Sequence, residues 1–202
     1  MHRSSSSALA FVLLAASSLA VPARADAASW QLDPSHSNVG FSIRHMMVSN
    51  VRGNFAEFGG TVTGDPSNPG AAVIEATIDA ASIDTGDEKR DAHLRNADFL
   101  DVEKYPTITF KSKKIEAAGA GKAKVTGDLT LHGVTKEVVL DVEGPSAPIK
   151  DPYGNTRAGA SATTKIDRKD FGITWSKSMD GGGLVVGDEI TITIDVEAVQ
   201  KK

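Results

Sequence analysis

The feature that most constrains this chain is an apolar residue at every second position along much of its length. In residues 189–196, Ile190, Ile192 and Ile194 alternate with polar side chains, and residues 38–44 and 72–79 repeat the pattern. Successive side chains of a strand point to opposite faces, so this period predicts strands with one apolar and one polar face. The chain is therefore predicted to be all-β.

Further β-branched segments are separated by stretches rich in Gly, Pro, Asn and Asp, which are typical of turns. These additional strands are predicted at residues 55–63, 107–114, 122–131, 136–143 and 156–166. Between two of them, His132-Gly133-Val134 is short enough to be a hairpin tip. About eight antiparallel strands with one apolar side can bury that side in a sandwich or a closed barrel. Neither arrangement needs a second domain.

One segment, from Thr85 to about Asn96, is predicted as a helix. Thr85 stands three residues before Glu88, the spacing of a capping box, and Asp87 falls in the first turn, where the helix dipole favours acids. Leu94 is the one large apolar residue of this segment. We therefore expect the helix on the outside of the sheet or over an opening.

The N-terminus has the pattern of a secretory signal peptide. Arg3 precedes an apolar run at residues 8–21, and Ala23-Arg24-Ala25 has the small residues that signal peptidase reads. The run is shorter than the roughly 20 apolar residues that cross a bilayer. We therefore predict a signal peptide at residues 1–25 and one exported domain at residues 26–202.

Charge and cysteine content exclude several classes of function. Removing Arg3 and Arg24 with the leader takes the formal net charge from −4 to −6. Such an acidic chain is a poor partner for nucleic acid, which requires clustered Lys and Arg. The chain has no cysteine, so thiol redox catalysis and thiolate metal sites are excluded.

A set of short motifs is more specific than the periodicity. They are WQLDPSHS at 30–37, VGFSIRHM at 39–46, VRGNF at 51–55, ASIDTG at 81–86, RDAHL at 90–94, DFLD at 98–101, YPTITF at 105–110, GDLTLHGVTK at 127–136 and IDRKDFGI at 166–173. In this order and spacing the set strongly resembles the YceI family of periplasmic, lipocalin-like proteins. The resemblance covers the chain from Trp30 to about Val199.

The resemblance implies an eight-stranded antiparallel, extended lipocalin-like barrel with a long interior pore and one short helix near one end. It further implies a periplasmic protein that is not an enzyme and has no catalytic or metal-binding residues. The expected ligand is a long-chain amphiphile: a polyisoprenoid above all, or an isoprenoid quinone or fatty-acid-like lipid. We expect no other cofactor.

The residues that could line such a pore are the large apolar ones of the strands and of one turn. The candidates for the ligand tail are Phe41, Ile43, Met46, Phe55, Phe110, Leu129 and Leu131. An equally simple interpretation is that they pack a dry core. The sequence does not decide which face points inward, because a shift of one residue in register reverses every assignment.

Basic and imidazole side chains are the candidates for a polar head group. They are His36, Arg44, His45, Arg90 and His93. The alternative for the pairs Arg90-Asp91 and Asp167-Arg168 is that they are ion pairs which fix the helix and a loop.

Two other functions are open. A periplasmic stress-response interaction or accessory protein needs an exposed apolar patch. A metal-dependent hydrolase needs His36, His45, His93 and His132 to converge in space, although none has H-x-x-x-H spacing. The partners we expect are a long-chain lipid and, transiently, a membrane or membrane partner. The chain is expected to be a monomer or homodimer.

Overall fold

The structure is a computed structural model that describes residues 28–64, 68–180 and 182–201. The predicted signal peptide lies outside these residues. The strands of the described residues are β1 (Ala28–Leu32), β2 (Asn38–His45), β3 (Ser49–Phe55), β4 (Phe58–Gly64), β5 (Val73–Asp79), β6 (Ile83–Asp84), β7 (Thr107–Ala117), β8 (Lys122–Leu131), β9 (Val134–Glu143), β10 (Ile149–Lys150), β11 (Thr156–Asp167) and β12 (Val186–Gln200). The helices are α1 (Glu88–Arg95) and 3-10 turns at Pro34–His36, Pro69–Ala71, Ala80–Ser82 and Arg168–Phe171.

These strands form one antiparallel sheet that closes on itself. The last strand, β12, pairs with β11 on one side and with β1 and β2 on the other. Each of the pairs β1–β2, β3–β4 and β5–β6 occupies one position in the ring, because β1 and β2 both pair with β12, β4 and β3 pair with β1 and β2, and β5 and β6 pair with β4 and β3. The short β10 shares the position of β9, because both pair with the edge of β11 that does not face β12. The ring therefore has eight positions, and the predicted eight-stranded antiparallel barrel is confirmed.

The barrel is closed unevenly. The β11–β12 ladder joins eleven residue pairs, from Arg157 opposite Val199 to Asp167 opposite Glu189. The β9–β11 ladder joins only the three pairs between residues 141–143 and 161–163. One residue beyond the last of these pairs, the Thr164 hydroxyl donates to the Val139 carbonyl at 2.8 Å and connects β11 with β9.

One predicted strand is divided between two strands in the structure. The segment predicted at residues 55–63 belongs to two strands, β3 and β4, because residues 56 and 57 interrupt the ladder. Phe55 pairs with Ile83 and Phe58 with Ile78, so both phenylalanines lie on the inward face despite their spacing of three. Such a bulge bends the strand while the apolar face stays inside.

The helix begins later than the capping-box spacing predicts. Asp87 is the N-cap, and its Oδ1 accepts from the backbone N–H groups of Lys89 and Arg90 at 3.1 Å. The Thr85 hydroxyl instead donates to the buried carboxylate of Asp91. The predicted start at Thr85 is therefore wrong, because the Asp87 carboxylate takes the free N–H groups of the first turn.

Buried apolar residues gather at one end of the barrel, which we call the closed end. Four come from strands β6, β7, β8 and β11, and the rest from the segments that connect strands there. This end cluster consists of Ala80, Ile83, Phe99, Leu100, Ile108, Leu131, Ile166, Phe171 and Ile173. Leu94 of α1 packs against it, which places the helix over this end. The predicted turn between β8 and β9 also lies at the closed end, where His132 and Gly133 have φ of 51° and 72°.

No helix in the described part of the chain is both long enough and apolar enough to cross a membrane.

Candidate functional site

The interior of the barrel away from the closed end is lined by apolar side chains, many of them small. On β11, Ala160 lies opposite Val196 and Ala162 opposite Ile194 of β12. On the other side of β11, Ala162 pairs with Val142 of β9. Strand alternation assigns the same inward face to Ile74, Ala76, Ala123, Leu140, Ala158 and Ala198.

These inward side chains are only partly buried. Ala158, Ala160 and Ala162 all keep intermediate exposure, as do Ile194 and Val196. In the end cluster, by contrast, Ile108 and Leu131 are 6% and 7% exposed. A side chain that faces the inside of a closed barrel yet stays accessible has space beside it, because well-packed interiors leave few voids. The interior is therefore filled at the closed end and accessible beyond it.

Aromatic rings cover the closed end. The His93 ring lies edge-on to Phe99 at 5.0 Å and to Trp175 at 5.4 Å between centroids, and Phe99 and Trp175 are 5.1 Å apart. His93 Nε2 is 2.9 Å from Asp98 Oδ2, which orients the imidazole. His93 thus has structural partners in this cover, and its role as a head-group ligand remains a prediction.

A buried arginine holds the cover in place. Arg168 is 1% exposed, and its guanidinium donates to the carbonyls of Gly187, Ile173 and Trp175 at 2.9, 2.7 and 2.7 Å. Its Nη2 lies 2.9 Å from Asp188 Oδ1. The ion-pair alternative from the sequence gave Asp167 as the partner of Arg168. That partner is wrong, because the Asp167 carboxylate accepts from the backbone N–H of Lys169 at the start of the 3-10 turn.

Six of the seven predicted tail residues lie on the inward face. Phe41, Phe55 and Leu129 pack against the end cluster, and Leu131 belongs to it. Ile43 pairs with Ile190, and Phe110 pairs with Leu129. These positions adjoin the filled end of the barrel, so contact with a ligand remains a prediction for all six.

Met46 does not line the interior. It lies at the turn between β2 and β3, with a φ of 48° and 45% of its surface exposed. Its place in the predicted lining is wrong, because the strand alternation ends at His45 and the turn carries the side chain outside the barrel.

The predicted head-group residues are not brought together into one site. Arg44 lies on the outer face, since it alternates with the inward Ile43, and it donates to Asn50 Oδ1 and the Met47 carbonyl. His45 ends the same strand. Arg90 Nε donates to the Thr85 hydroxyl at 2.7 Å. His36 lies in the 3-10 turn between β1 and β2, and its Nδ1 is 3.0 Å from Asp33 Oδ2.

Arg90 and Asp91 act together without forming a direct ion pair in the described structure. Both bind Thr85: Arg90 Nη2 donates to its carbonyl at 3.0 Å, and the Asp91 carboxylate accepts from its N–H at 3.0 Å. They fix the start of α1 to the chain after β6. The predicted ion pair between Arg90 and Asp91 is therefore wrong, because both side chains bond to Thr85, although the two residues do fix the helix.

The four histidines do not form a metal site within the described residues. The one group of three possible ligands found there is Asp33, His36 and Glu197. The guanidinium of Arg157 already lies between its two carboxylates, 2.7 Å from Asp33 Oδ2 and 2.5 Å from Glu197 Oε1. A cationic side chain therefore neutralises the carboxylates that a metal ion would need.

We expect the contribution of Arg157 to stability to disappear in acid. The hydroxyl of Ser35, and next Arg157, hold the pKa of Asp33 well below its ordinary value, and Arg157 does the same to the pKa of Asp151. Carboxylates with a lowered pKa stabilise the fold above their unfolded pKa of about 4, and this stabilisation is lost as the pH falls further.

The urea midpoint of an Arg157→Gln variant should therefore lie below that of the unsubstituted protein at pH 7. The difference should narrow progressively below about pH 4. Lys165→Gln is the control, since Lys165 and Glu189 form an exposed pair, 64% and 62% accessible, that is expected to matter little at any pH. A midpoint difference for Arg157→Gln that stays constant down to about pH 3 would contradict this account.

The alanines of β11 are not among the predicted lining residues, which are all large apolar side chains. A signal was present: Ala158, Ala160 and Ala162 alternate with period two. Small residues on an inward face are what leaves a barrel interior open.

The fold and the interior define the class of protein: a closed antiparallel β-barrel with an accessible, apolar inner face. Comparisons with known proteins agree. A model of the YceI-like domain family matches residues 30–198. Protein YceI of Escherichia coli O157:H7 is 42% identical over 178 residues, which cover 87% of this chain and 89% of that protein. The chain belongs to the YceI-like domain family.

Solved structures show the same fold. The YCEI protein of Campylobacter jejuni has a TM-score of 0.66 and 39% identity, covering 85% of this chain and 97% of its own. BcnA of Burkholderia cenocepacia has a TM-score of 0.72 and 27% identity, covering 82% and 98%. A polyisoprenoid binding domain from Saccharophagus degradans has a TM-score of 0.63, covering 85% and 98%. At 17% identity, that likeness is one of fold.

Proposed function

We propose that this chain is a non-enzymatic carrier that holds the tail of one long-chain lipid in the barrel interior. The observation that carries the proposal is the accessible, apolar inner face formed by Ala158, Ala160 and Ala162 with Ile194 and Val196. A polyisoprenoid, an isoprenoid quinone or a fatty-acid-like lipid has the shape and polarity for such an interior. We further propose that the chain does this in the periplasm, after its signal peptide is removed.

Burial of the tail is sufficient to retain the ligand. Each methylene taken out of water contributes about 0.8 kcal/mol. Ten methylenes contribute roughly 8 kcal/mol before ordering costs, which corresponds to binding near the micromolar level. The lining named above contains no charged side chain, so selectivity is expected to depend on tail length and thickness.

Two further observations support a carrier over an enzyme. The histidines that a hydrolase would need are dispersed over separate parts of the described structure, each with structural partners of its own where hydrogen bonds are found. In addition, a domain with this fold from Saccharophagus degradans is a polyisoprenoid binding domain, which indicates that the fold can accommodate a prenyl chain.

The test is organic extraction and mass spectrometry of the full chain, purified without detergent from cells that export it. We expect a prenyl or acyl lipid at close to one molecule per chain, and an intact protein mass that lacks residues 1–25. An empty extract, together with no uptake of a fluorescent prenyl or fatty-acid probe, would refute the proposed function.

A further inference from the structure

Three consecutive apolar residues are exposed at the turn between β2 and β3. Met46, Met47 and Val48 have 45%, 56% and 76% of their surface accessible. We call these three residues the hairpin tip. Exposed apolar residues scattered singly are ordinary, whereas a contiguous exposed group indicates contact with something outside the fold.

The backbone of the hairpin tip makes these residues harder to explain by folding alone. Met46 and Met47 have φ of 48° and 60°, in the left-handed region that is unfavourable for residues with a side chain. They are the two central residues of a turn in which the Val48 N–H donates to the His45 carbonyl at 3.1 Å, and Asn-Gly is favoured where both central residues are left-handed. The chain instead has two methionines that are 45% and 56% exposed, so neither the turn conformation nor the core explains their apolar side chains.

Basic side chains surround the hairpin tip. Arg44 Nη2 donates to the Met47 carbonyl at 2.9 Å, which holds the guanidinium at the base of the turn. Arg52 lies on the same outer face of the hairpin. Lys177 is exposed on the adjoining segment, which is linked to the tip because Val185 bonds both Met46 and Lys177.

This patch is basic on a protein whose net charge is −4. Among the described residues no carboxylate lies within ion-pair distance of Arg44, Arg52 or Lys177. Of the acids on neighbouring segments, Asp188 is paired with Arg168 and Lys169, and Glu189 is paired with Lys165. Asp84 lies near Arg52, and Asp180 follows Lys177 in the adjoining loop, so three basic groups of the patch face two acidic groups. An apolar tip with a basic surround is complementary to the headgroups and outer acyl layer of an anionic bilayer.

We propose that the hairpin tip is the surface by which this chain docks onto an anionic lipid bilayer. Met46, Met47 and Val48 insert between the headgroups, while Arg44, Arg52 and Lys177 contact the phosphates. The proposal goes beyond ligand binding in the interior and does not depend on it. Docking at the tip turns the closed end of the barrel, with its aromatic cover, toward the bilayer.

A bilayer fits the hairpin tip better than a protein partner does. Stable protein interfaces bury about 800 Å² on each partner, which three side chains on a narrow turn do not supply. A fluid bilayer closes around a small protruding group, so a few apolar side chains and basic groups are enough for reversible binding.

The test compares the unsubstituted chain with a Met46→Asn/Met47→Gly double variant. Binding is measured by co-sedimentation with vesicles of phosphatidylcholine alone and of phosphatidylcholine with phosphatidylglycerol. We expect the unsubstituted chain to prefer the anionic vesicles and to dissociate as salt is raised. The double variant should bind them at least about tenfold more weakly, yet melt at a higher temperature because Asn-Gly suits the turn.

Tyr153→Ser is the matched control. It removes an exposed apolar residue, 87% accessible, from the turn between β10 and β11, at the opposite end of the barrel. This variant should bind vesicles like the unsubstituted chain. Equal vesicle binding by the double variant would overturn the proposal. So would the absence of binding to protein-free vesicles of either composition, which would point to a protein partner instead.

Uptake of a fluorescent prenyl probe from solution separates this proposal from the proposed function. Both the double variant and the unsubstituted chain should take up the probe equally, because Met46 and Met47 lie outside the barrel interior. Loss of vesicle binding with normal uptake supports docking at the tip. Failure of uptake in both proteins counts against the carrier function and leaves the vesicle result to decide the docking.

Discussion

Replacing Arg168 with methionine is expected to lower the free energy of unfolding by about 3–5 kcal/mol, because the change leaves three backbone carbonyls without their buried donor. The guanidinium donates hydrogen bonds to the carbonyls of Ile173, Trp175 and Gly187 and to the carboxylate of Asp188. Methionine fills much of the volume but supplies no donor. The loss is measured as the change in unfolding free energy in urea, followed by tryptophan fluorescence and circular dichroism.

Lys169→Met is the matched control for this result. Lys169 pairs with the same Asp188 at 2.8 Å, but its side chain is 43% exposed, so its removal should cost less than about 1 kcal/mol. Arg168→Lys should remain strongly destabilised, since an ammonium cannot reproduce the planar fork of donors. A loss below 1 kcal/mol for Arg168→Met would show that solvent or other groups satisfy these carbonyls.

Replacing Ala162 with tryptophan is expected to weaken binding of a prenyl or long-chain fatty-acid probe by about fiftyfold. Ala162 faces the interior between Val142 and Ile194, so an indole there occupies space that a ligand tail would use. Excluding about three methylenes costs roughly 2.4 kcal/mol of binding free energy, which gives this factor. Fluorescence titration with the probe measures it.

The neighbouring residue provides the control. Thr163 is next in sequence but faces outward and is exposed, so Thr163→Trp introduces the same indole outside the barrel. This variant should bind the probe as the unsubstituted chain does. Circular dichroism and the urea midpoint establish that both variants are folded. Equal affinity in Ala162→Trp and Thr163→Trp would show that the probe does not occupy this part of the interior.

The fold could be predicted where side-chain alternation and burial agree. Ile190, Ile192 and Ile194 alternate with polar residues, and all three face the interior. The closure of the ring could not be predicted from local pattern, because it depends on β12 pairing with strands at both ends of the chain. Bulges are similarly hidden: Phe55 and Phe58 share a face only because residues 56 and 57 break the ladder.

The candidate site could be predicted less completely, for identifiable reasons. Arg44 and His45 are adjacent in sequence, yet strand alternation puts Arg44 on the outer face. The sequence shows that Arg168 is present but not that it is buried, since burial depends on the long segment that returns to Gly187. The alanines of β11 were overlooked because an open interior is marked by the side chains that are missing, whereas sequence patterns draw attention to large ones.

The pairing of β12 with β1 and β2 has a consequence for the order of events in the life of the chain. Trp30 of β1 pairs with Gln200 of β12, and Val39 of β2 pairs with Ile194. These pairs can form only after almost the whole polypeptide has been synthesised. Contacts this distant in sequence form slowly, because closing the long intervening loop costs conformational entropy before the contact can stabilise the fold. A nascent chain of this design therefore cannot close its barrel until its last strand is made, and this delay would suit the export that we propose for it.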